Sequence, residues 1–343
     1  MKSWTLMITI SLIAFIAGCS DSTGGDDPAG EITLIYVTFA GHIEDGAYYA
    51  ECSLYPQYRD KLLVFADFID SCGIPFNLQI DYELLVGASR CETPGMMAET
   101  GSTNVIDYIA KSYDFRIDPH KGGGFEEGDD NYADVRYIGG QVTGEITENA
   151  GGIVWDDEEQ FDRFDGGEPG WQYPGFVWYP EILTVGVHNH HHLGDFSLDD
   201  MTSGVWKPAD FGGDFRTHDA DNRMIYVGPG AQHTDWWDDD DFPFESGADY
   251  VEVLARYIEQ GRAPSGKIYT VTIAVPQKII LYDSTYYKIE NQLDQLAPLV
   301  AEGKVIYAHY REVVDIWEAE YGAEPNIYTF DNIDSTDYTV GGD

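Results

Sequence analysis

An α/β fold, a (β/α)7–8 barrel of TIM-like type in a single domain with one long loop insertion, is predicted by three features of the sequence. Apolar runs of strand length alternate with stretches of helical apolar spacing from Ile32 to Tyr321. The returns between them are short, which implies parallel pairing through right-handed crossovers. No Gly-x-Gly-x-x-Gly or phosphate-loop pattern follows the first strand, which counts against an open nucleotide-binding sheet.

The first strand is Ile32–Phe39, apolar and β-branched, and it ends in Ala40-Gly41-His42-Ile43-Glu44-Asp45-Gly46. Tyr58–Cys72 has apolar residues at helical spacing and stops at Gly73. Ile74–Ile80 is the second strand and runs into Asp81. Asn104–Tyr113 is an amphipathic helix leading to a short third strand, Phe115–His120. A Gly-rich stretch from Gly122 precedes the helix Asn131–Gly140, with Asn131 as its cap. Gly152–Trp155 reads as the fourth strand. Asp156–Pro180, rich in Asp, Gly and aromatic residues, is the long loop over the mouth.

Ile182–Val187 is a buried strand followed at once by His188-Asn189-His190-His191-His192. Short strands at Gly204–Pro208 and Met224–Gly228 come next, then a helix over Gly247–Gly261 and a strand over Ile268–Val275. Tyr286–Gly303 is a helix, Val305–His309 the last strand and Arg311–Tyr321 the last helix. Residues 331–343 form a frayed tail.

Residues 1–18 read as a lipoprotein signal peptide. Lys2 supplies the positive start, Leu6–Ile16 the apolar stretch, and Ile16-Ala17-Gly18-Cys19 matches the lipobox, with Cys19 taking the lipid. The apolar stretch is too short to span a bilayer. Ser20 stands where an inner-membrane retention signal carries Asp, so the expected location is the cell envelope, at the outer membrane. Membrane contact is then through the N-terminal lipid alone. Residues 19–30 form an acidic Gly-rich tether, and residues 31–330 the barrel domain.

Acidic residues outnumber basic ones 61 to 19, a formal charge of −42. Such a chain offers no basic groove for nucleic acid and repels anionic lipid. Aromatic residues at 14%, eight of them Trp, suit surfaces that stack on sugars, and the expected partner of this monomer is a carbohydrate. Beside Cys19 three cysteines remain, so one disulfide is the maximum. Cys52 and Cys91 fall in loops after predicted strands, whereas Cys72 closes a helix at the opposite end. Cys52–Cys91 is the expected bridge, and Cys72 a buried thiol.

In a parallel barrel the working residues gather where the strands end. His42, Glu44 and Asp45 follow the first strand, Gln79 and Asp81 lie on the second, and Asp118 and His120 on the third. Trp155 and Asp156, the cluster at His188, His190 and His192, Trp206, His218 and His309 follow later strands. Two or three imidazoles with a carboxylate are what a catalytic divalent metal, zinc above all, requires. The expected ligands are His42, Asp45, His120 and His188, with Asp45, Glu44 and His190 moving protons. Trp155, Trp171, Trp206 and Lys207 are the candidate substrate contacts.

These residues resemble the pattern of the polysaccharide deacetylase-like superfamily of distorted (β/α) barrels, over most of residues 32–320 and in element order rather than identity. That family carries Thr-Phe-Asp-Asp-Gly after its first strand. Here Thr38-Phe39 leads to Ala40-Gly41, with His42, Glu44, Asp45 and Gly46 just downstream. Where the family has His-x-x-x-His after the third strand, His120 is followed by Gly124, and the spacing recurs at His188 and His192. Val205-Trp206-Lys207-Pro208 is loosely similar to the family's Arg-x-Pro, and Gly303-Lys304-Val305 with Trp317 to its closing units. The resemblance implies an exported, metal-dependent hydrolase cleaving an amide or ester on a carbohydrate polymer. The alternatives are a non-catalytic glycan-binding lipoprotein on the same barrel and a metal-free glycosidase.

Overall fold

A computed structural model describes residues 33–44, 46–120, 131–153, 164–185, 201–210, 216–231, 246–282 and 286–329. Five parallel strands make the first sheet: β1 (Ile35–Ile43), β2 (Phe76–Ile80), β3 (Phe115–Pro119), β10 (Tyr269–Val275) and β11 (Val305–Tyr307). Their order is β10-β1-β2-β3, with β11 also beside the start of β1. The second sheet holds β4 (Asn149–Ile153), β7 (Ile182–Val185), β8 (Met201–Trp206), β9 (Ile225–Ala231) and β12 (Asn326–Thr329) in the order β12-β8-β9-β7-β4. There β4, β7 and β9 run parallel, while β8 and β12 are antiparallel to their neighbours.

The sheets meet along two seams. Parallel bridges Ile117↔Ile146 and His120↔Gly151 join the edge of β3 to β4. On the other side the Thr270 backbone N–H on β10 donates to Ser203 Oγ at 2.9 Å, and its hydroxyl donates to the Gly228 carbonyl at 2.5 Å. The wall therefore runs β1-β2-β3-β4-β7-β9-β10 as a distorted parallel barrel, with no continuous ladder across either seam among the described residues.

Most helices bury an apolar face, and several carry a side-chain cap at the start. In α1 (Tyr55–Cys72), Leu62, Phe65, Ala66 and Ile69 are fully buried, and Gly73 closes the helix in the left-handed region. Each of the larger side chains contributes roughly 1.5–3 kcal/mol by leaving water. Asp81 caps α2 (Tyr82–Cys91) by accepting the Leu84 N–H at 3.0 Å. The short α3 (Pro94–Glu99) follows, then α4 (Val105–Ser112), capped by Asn104. Asn131 caps α5 (Tyr132–Val142), accepting the Asp134 N–H at 3.0 Å. Ser246 caps α6 (Gly247–Glu259), and α7 (Tyr287–Ala301) and α8 (Tyr310–Glu320) complete the layer. Tyr310, Val313, Val314 and Trp317 of α8 pack with Tyr36, Ile182 and Ile225, so α8 covers the end where the strands begin.

Several expectations change. The α2 and α3 helices were not foreseen, and Cys91 is the last residue of α2 rather than part of a loop. Cys52 and Cys91 are joined by a disulfide, and Cys72 is a half-buried thiol whose pKa burial raises. Within the stretch read as one long loop, β5 (Glu168–Pro169) and β6 (Val177–Trp178) form a hairpin. The strand read at Gly204–Pro208 is β8, and it runs against β9. No described helix is long and apolar enough to cross a membrane.

Candidate active site

At the end of the first sheet where the strands finish, His42 on β1 stands in register with Gln79 on β2, and Gln79 with Asp118 on β3. His120 follows β3 directly. The two imidazoles stack with centroids 4.9 Å apart and planes 13° from parallel. Both turn Nε2 toward one carboxylate: His120 Nε2 is 2.9 Å from Glu44 Oε2, and His42 Nε2 is 3.8 Å from Glu44 Oε1. His42 and His120 are buried, whereas Glu44 keeps 26% of its side chain exposed. This carboxylate therefore marks where the site opens to solvent.

Backbone contacts fix the arrangement. His120 Nδ1 lies 3.0 Å from the Gly151 carbonyl, which can only accept, so Nδ1 carries a hydrogen. The same carbonyl accepts the Tyr132 hydroxyl at 2.6 Å. With Nδ1 protonated, Nε2 either donates to Glu44 or offers it a lone pair, according to where the next proton sits. A Cβ on Gly152 would stand 1.9 Å from His120 Cε1, and Gly152 has φ +70°, so the imidazole lies against a backbone only glycine can supply. The Glu44 N–H donates to Gln277 Oε1 at 3.2 Å, and Tyr49 donates to the same oxygen at 2.9 Å. The π-helix Lys278–Tyr282 follows Gln277 immediately.

Burial is the largest influence on His42 and lowers its pKa to about 4. Glu44 opposes that shift, His120 adds to it, and a hydrogen bond with Gln79 opposes it. His42 is thus a neutral imidazole near pH 7. Beneath the pair, burial pushes Asp118 up to about 7, although the Thr147 hydroxyl at 2.5 Å and Asn149 Nδ2 at 3.0 Å both stabilise its charge.

The donor types suit a divalent transition metal: two imidazoles, one of them oriented by a carbonyl, and a carboxylate. Among the described residues, however, no three His, Cys, Asp or Glu side chains form a group able to hold an ion. His42 and His120 fit as ligands, and the described residues alone do not complete the cage. Asp45, Trp155, His188 and His190 lie outside the described residues.

Other candidates are placed elsewhere. Trp206 is fully buried against Tyr226 and cannot serve as a sugar platform. Because β8 is antiparallel, its final residues pair with the beginning of β9, so Trp206 and Lys207 stand at the end opposite His42 and His120. The Lys207 ammonium donates to the Ala220 carbonyl at 3.2 Å. His218 Nδ1 accepts the Lys207 N–H at 3.1 Å, and its ring lies 6.4 Å from that of Trp317 on α8. His309 Nε2 is 2.9 Å from Asp114, the residue before β3, again away from the mouth. Trp171 is 68% exposed on the β5–β6 turn. Gln277, Tyr132 and the Gly151-Gly152 pair were missed by sequence reasoning, since nothing in a lone Gln or Gly-Gly signals the partner it meets.

No protein-family model matches the sequence, and no curated protein is significantly similar to it. Among solved structures, the chain is similar to a protein named as a polysaccharide deacetylase from Mycobacterium smegmatis, with TM-score 0.49 and 12% identity over 88% of this chain and 98% of that one. A second protein so named, from Pseudomonas aeruginosa PAO1, gives TM-score 0.47 and 12% identity over 84% and 92%. The Puue allantoinase gives TM-score 0.46 and 12% identity over 86% and 93%.

Proposed function

We propose that the chain is a metal-dependent hydrolase acting on amide or ester groups of a carbohydrate polymer, with His42, Glu44 and His120 at the reacting centre. The observation that carries this reading is the pair of stacked imidazoles whose Nε2 atoms address one partly exposed carboxylate. When bound, a divalent ion, zinc by preference, supplies Lewis acidity and makes water a stronger acid. Gly151 holds the His120 hydrogen on Nδ1 and leaves Nε2 for the mouth. Burial keeps His42 uncharged at neutral pH and available as a donor. Glu44, tethered through Gln277, is placed to take a proton from water and return it to a leaving group.

On sequence grounds, Asp45 and His188 are proposed to complete the ligand set, and His190 to assist proton transfer. The carbohydrate class rests on the sequence resemblance and on the aromatic content. Anchoring through Cys19 to the outer membrane, with the body a monomer in the cell envelope, is proposed on the signal-peptide pattern.

The test is acetate release from acetylated chito-oligosaccharides by the full chain, before and after chelation, with His120→Ala beside it. Release abolished by both treatments is expected. Release that survives either one contradicts the assignment. A second reading, a glycan-binding protein without catalysis, is favoured by Ala40-Gly41 standing where the resembled family carries Asp-Asp, and by Gly124 where it carries the second His. Sugar binding with no release by the wild type would support it.

A further inference from the structure

Trp171 stands apart from the other described tryptophans. Trp178, Trp206 and Trp317 are buried in cores, whereas Trp171 is 68% exposed. Its loop is nevertheless held closely. The buried Asp134 carboxylate accepts three successive backbone N–H groups, from Trp171 at 3.0 Å, Gln172 at 2.8 Å and Tyr173 at 3.1 Å. Tyr82 donates to Gln172 Oε1 at 2.8 Å, and the Tyr173 ring stacks on Tyr137 with centroids 4.1 Å apart. Asn131 Nδ2 adds a bond to the Pro169 carbonyl at 3.1 Å.

These anchors also place the hairpin. Asn131 and Asp134 open α5, which follows β3, and Tyr82 opens α2, which follows β2. Both helix starts lie where the strands finish, the end that carries His42 and His120. Tyr132, between Asn131 and Asp134, donates to the Gly151 carbonyl that also orients His120. A short bonded path therefore runs from the Trp171 backbone to the candidate centre.

An exposed indole on a rigid loop loses little conformational entropy when something packs on it. Its flat apolar face matches the C–H face of a pyranose, with neutral amide and phenol groups beside it for the sugar hydroxyls. The net charge of −42 disfavours an anionic ligand. We infer that the Trp171 turn, held by Asp134, is a stacking subsite for a pyranose unit of an uncharged or amino-sugar chain entering the mouth. The inference rests on the hydrolase reading for what lies beside the subsite, not for the binding itself.

Calorimetric titration of the full chain with β-1,4-linked hexamers of N-acetylglucosamine and of glucosamine tests it. The wild type is expected to bind at least one hexamer, and Trp171→Ala to weaken binding roughly tenfold or more. Trp171→Phe should stay within about threefold of wild type, since it keeps an aromatic face. Asp134→Asn should weaken binding through the loosened turn, and His309→Gln, at the opposite end beside Asp114, should bind as the wild type does.

Binding unchanged in Trp171→Ala, or no binding of either hexamer by the wild type, overturns the subsite. A wild-type dimer that Trp171→Ala converts to monomer also overturns it, because the indole then serves self-association. Binding without hydrolysis leaves the subsite standing and removes the hydrolase reading. Hydrolysis with binding insensitive to Trp171 does the reverse.

Discussion

Gly152 decides the pose of His120, because any side chain there meets the imidazole at 1.9 Å. Gly152→Ala is expected to lose hydrolysis together with at least about 1 kcal/mol of stability, since φ +70° is itself unfavourable for alanine. Gly73→Ala is the control: φ is +66° and nothing lies within 4 Å of its added Cβ, so it should carry the backbone cost and keep activity. Thermal melts beside acetate release separate the two variants.

His309 carries the pH prediction at this scale. Burial lowers its pKa below the usual 6.5, with Asp114 opposing. The unfolded chain then binds a proton that the folded chain resists, so this residue costs stability as pH falls below 6.5 and costs nothing above it. Arg116 and Glu312 also act on the ring, so the reading is a difference between wild type and His309→Gln. The stability gap between them should shift in favour of the variant on going from pH 7.5 to pH 5. A constant gap would show that the ring titrates as it does in water.

The disulfide is the clearest device at the scale of elements. It ties the segment after β1 to the end of α2 across a sequence separation of 39. In the chain-entropy account such a crosslink contributes about 4 kcal/mol. The double Cys52→Ser, Cys91→Ser variant should lose about 3–4 kcal/mol in denaturant melts, and a loss below about 1 kcal/mol would place the stability elsewhere.

Parallel pairing in the first sheet was legible because β-branched runs alternate with helices, and His42, Glu44 and His120 sit where two such runs stop; that β10 lies beside β1 was not. The α2 helix was not legible. Gly87 in its middle reads as a breaker, yet the Tyr49 carbonyl presses so close that an added Cβ would stand 2.3 Å away. The direction of β8 was equally hidden, since alternation along a short strand is the same whichever way the strand runs. That ambiguity put Trp206 and Lys207 at the wrong end of the barrel.

For the whole molecule, 61 acidic residues against 19 basic ones leave a large self-repulsion in the folded state. Added salt screens it over about 10 Å at 0.1 M. The melting temperature should therefore rise from low salt to about 0.5 M sodium chloride, and a flat profile would mean that the charges are already compensated locally. The same charge attracts divalent cations in general, so loose metal uptake cannot identify a site. That His42 and His120, at the ends of two strands, share one ion with Glu44 beside them is the proposed assignment. It is tested most directly by zinc content after dialysis against excess calcium and a mild chelator, for wild type, His42→Ala and His120→Ala. Retention of about one zinc per wild-type chain, lost in both variants while their melts stay cooperative, is the predicted result. Equal zinc in all three proteins, or none in the wild type, would contradict it.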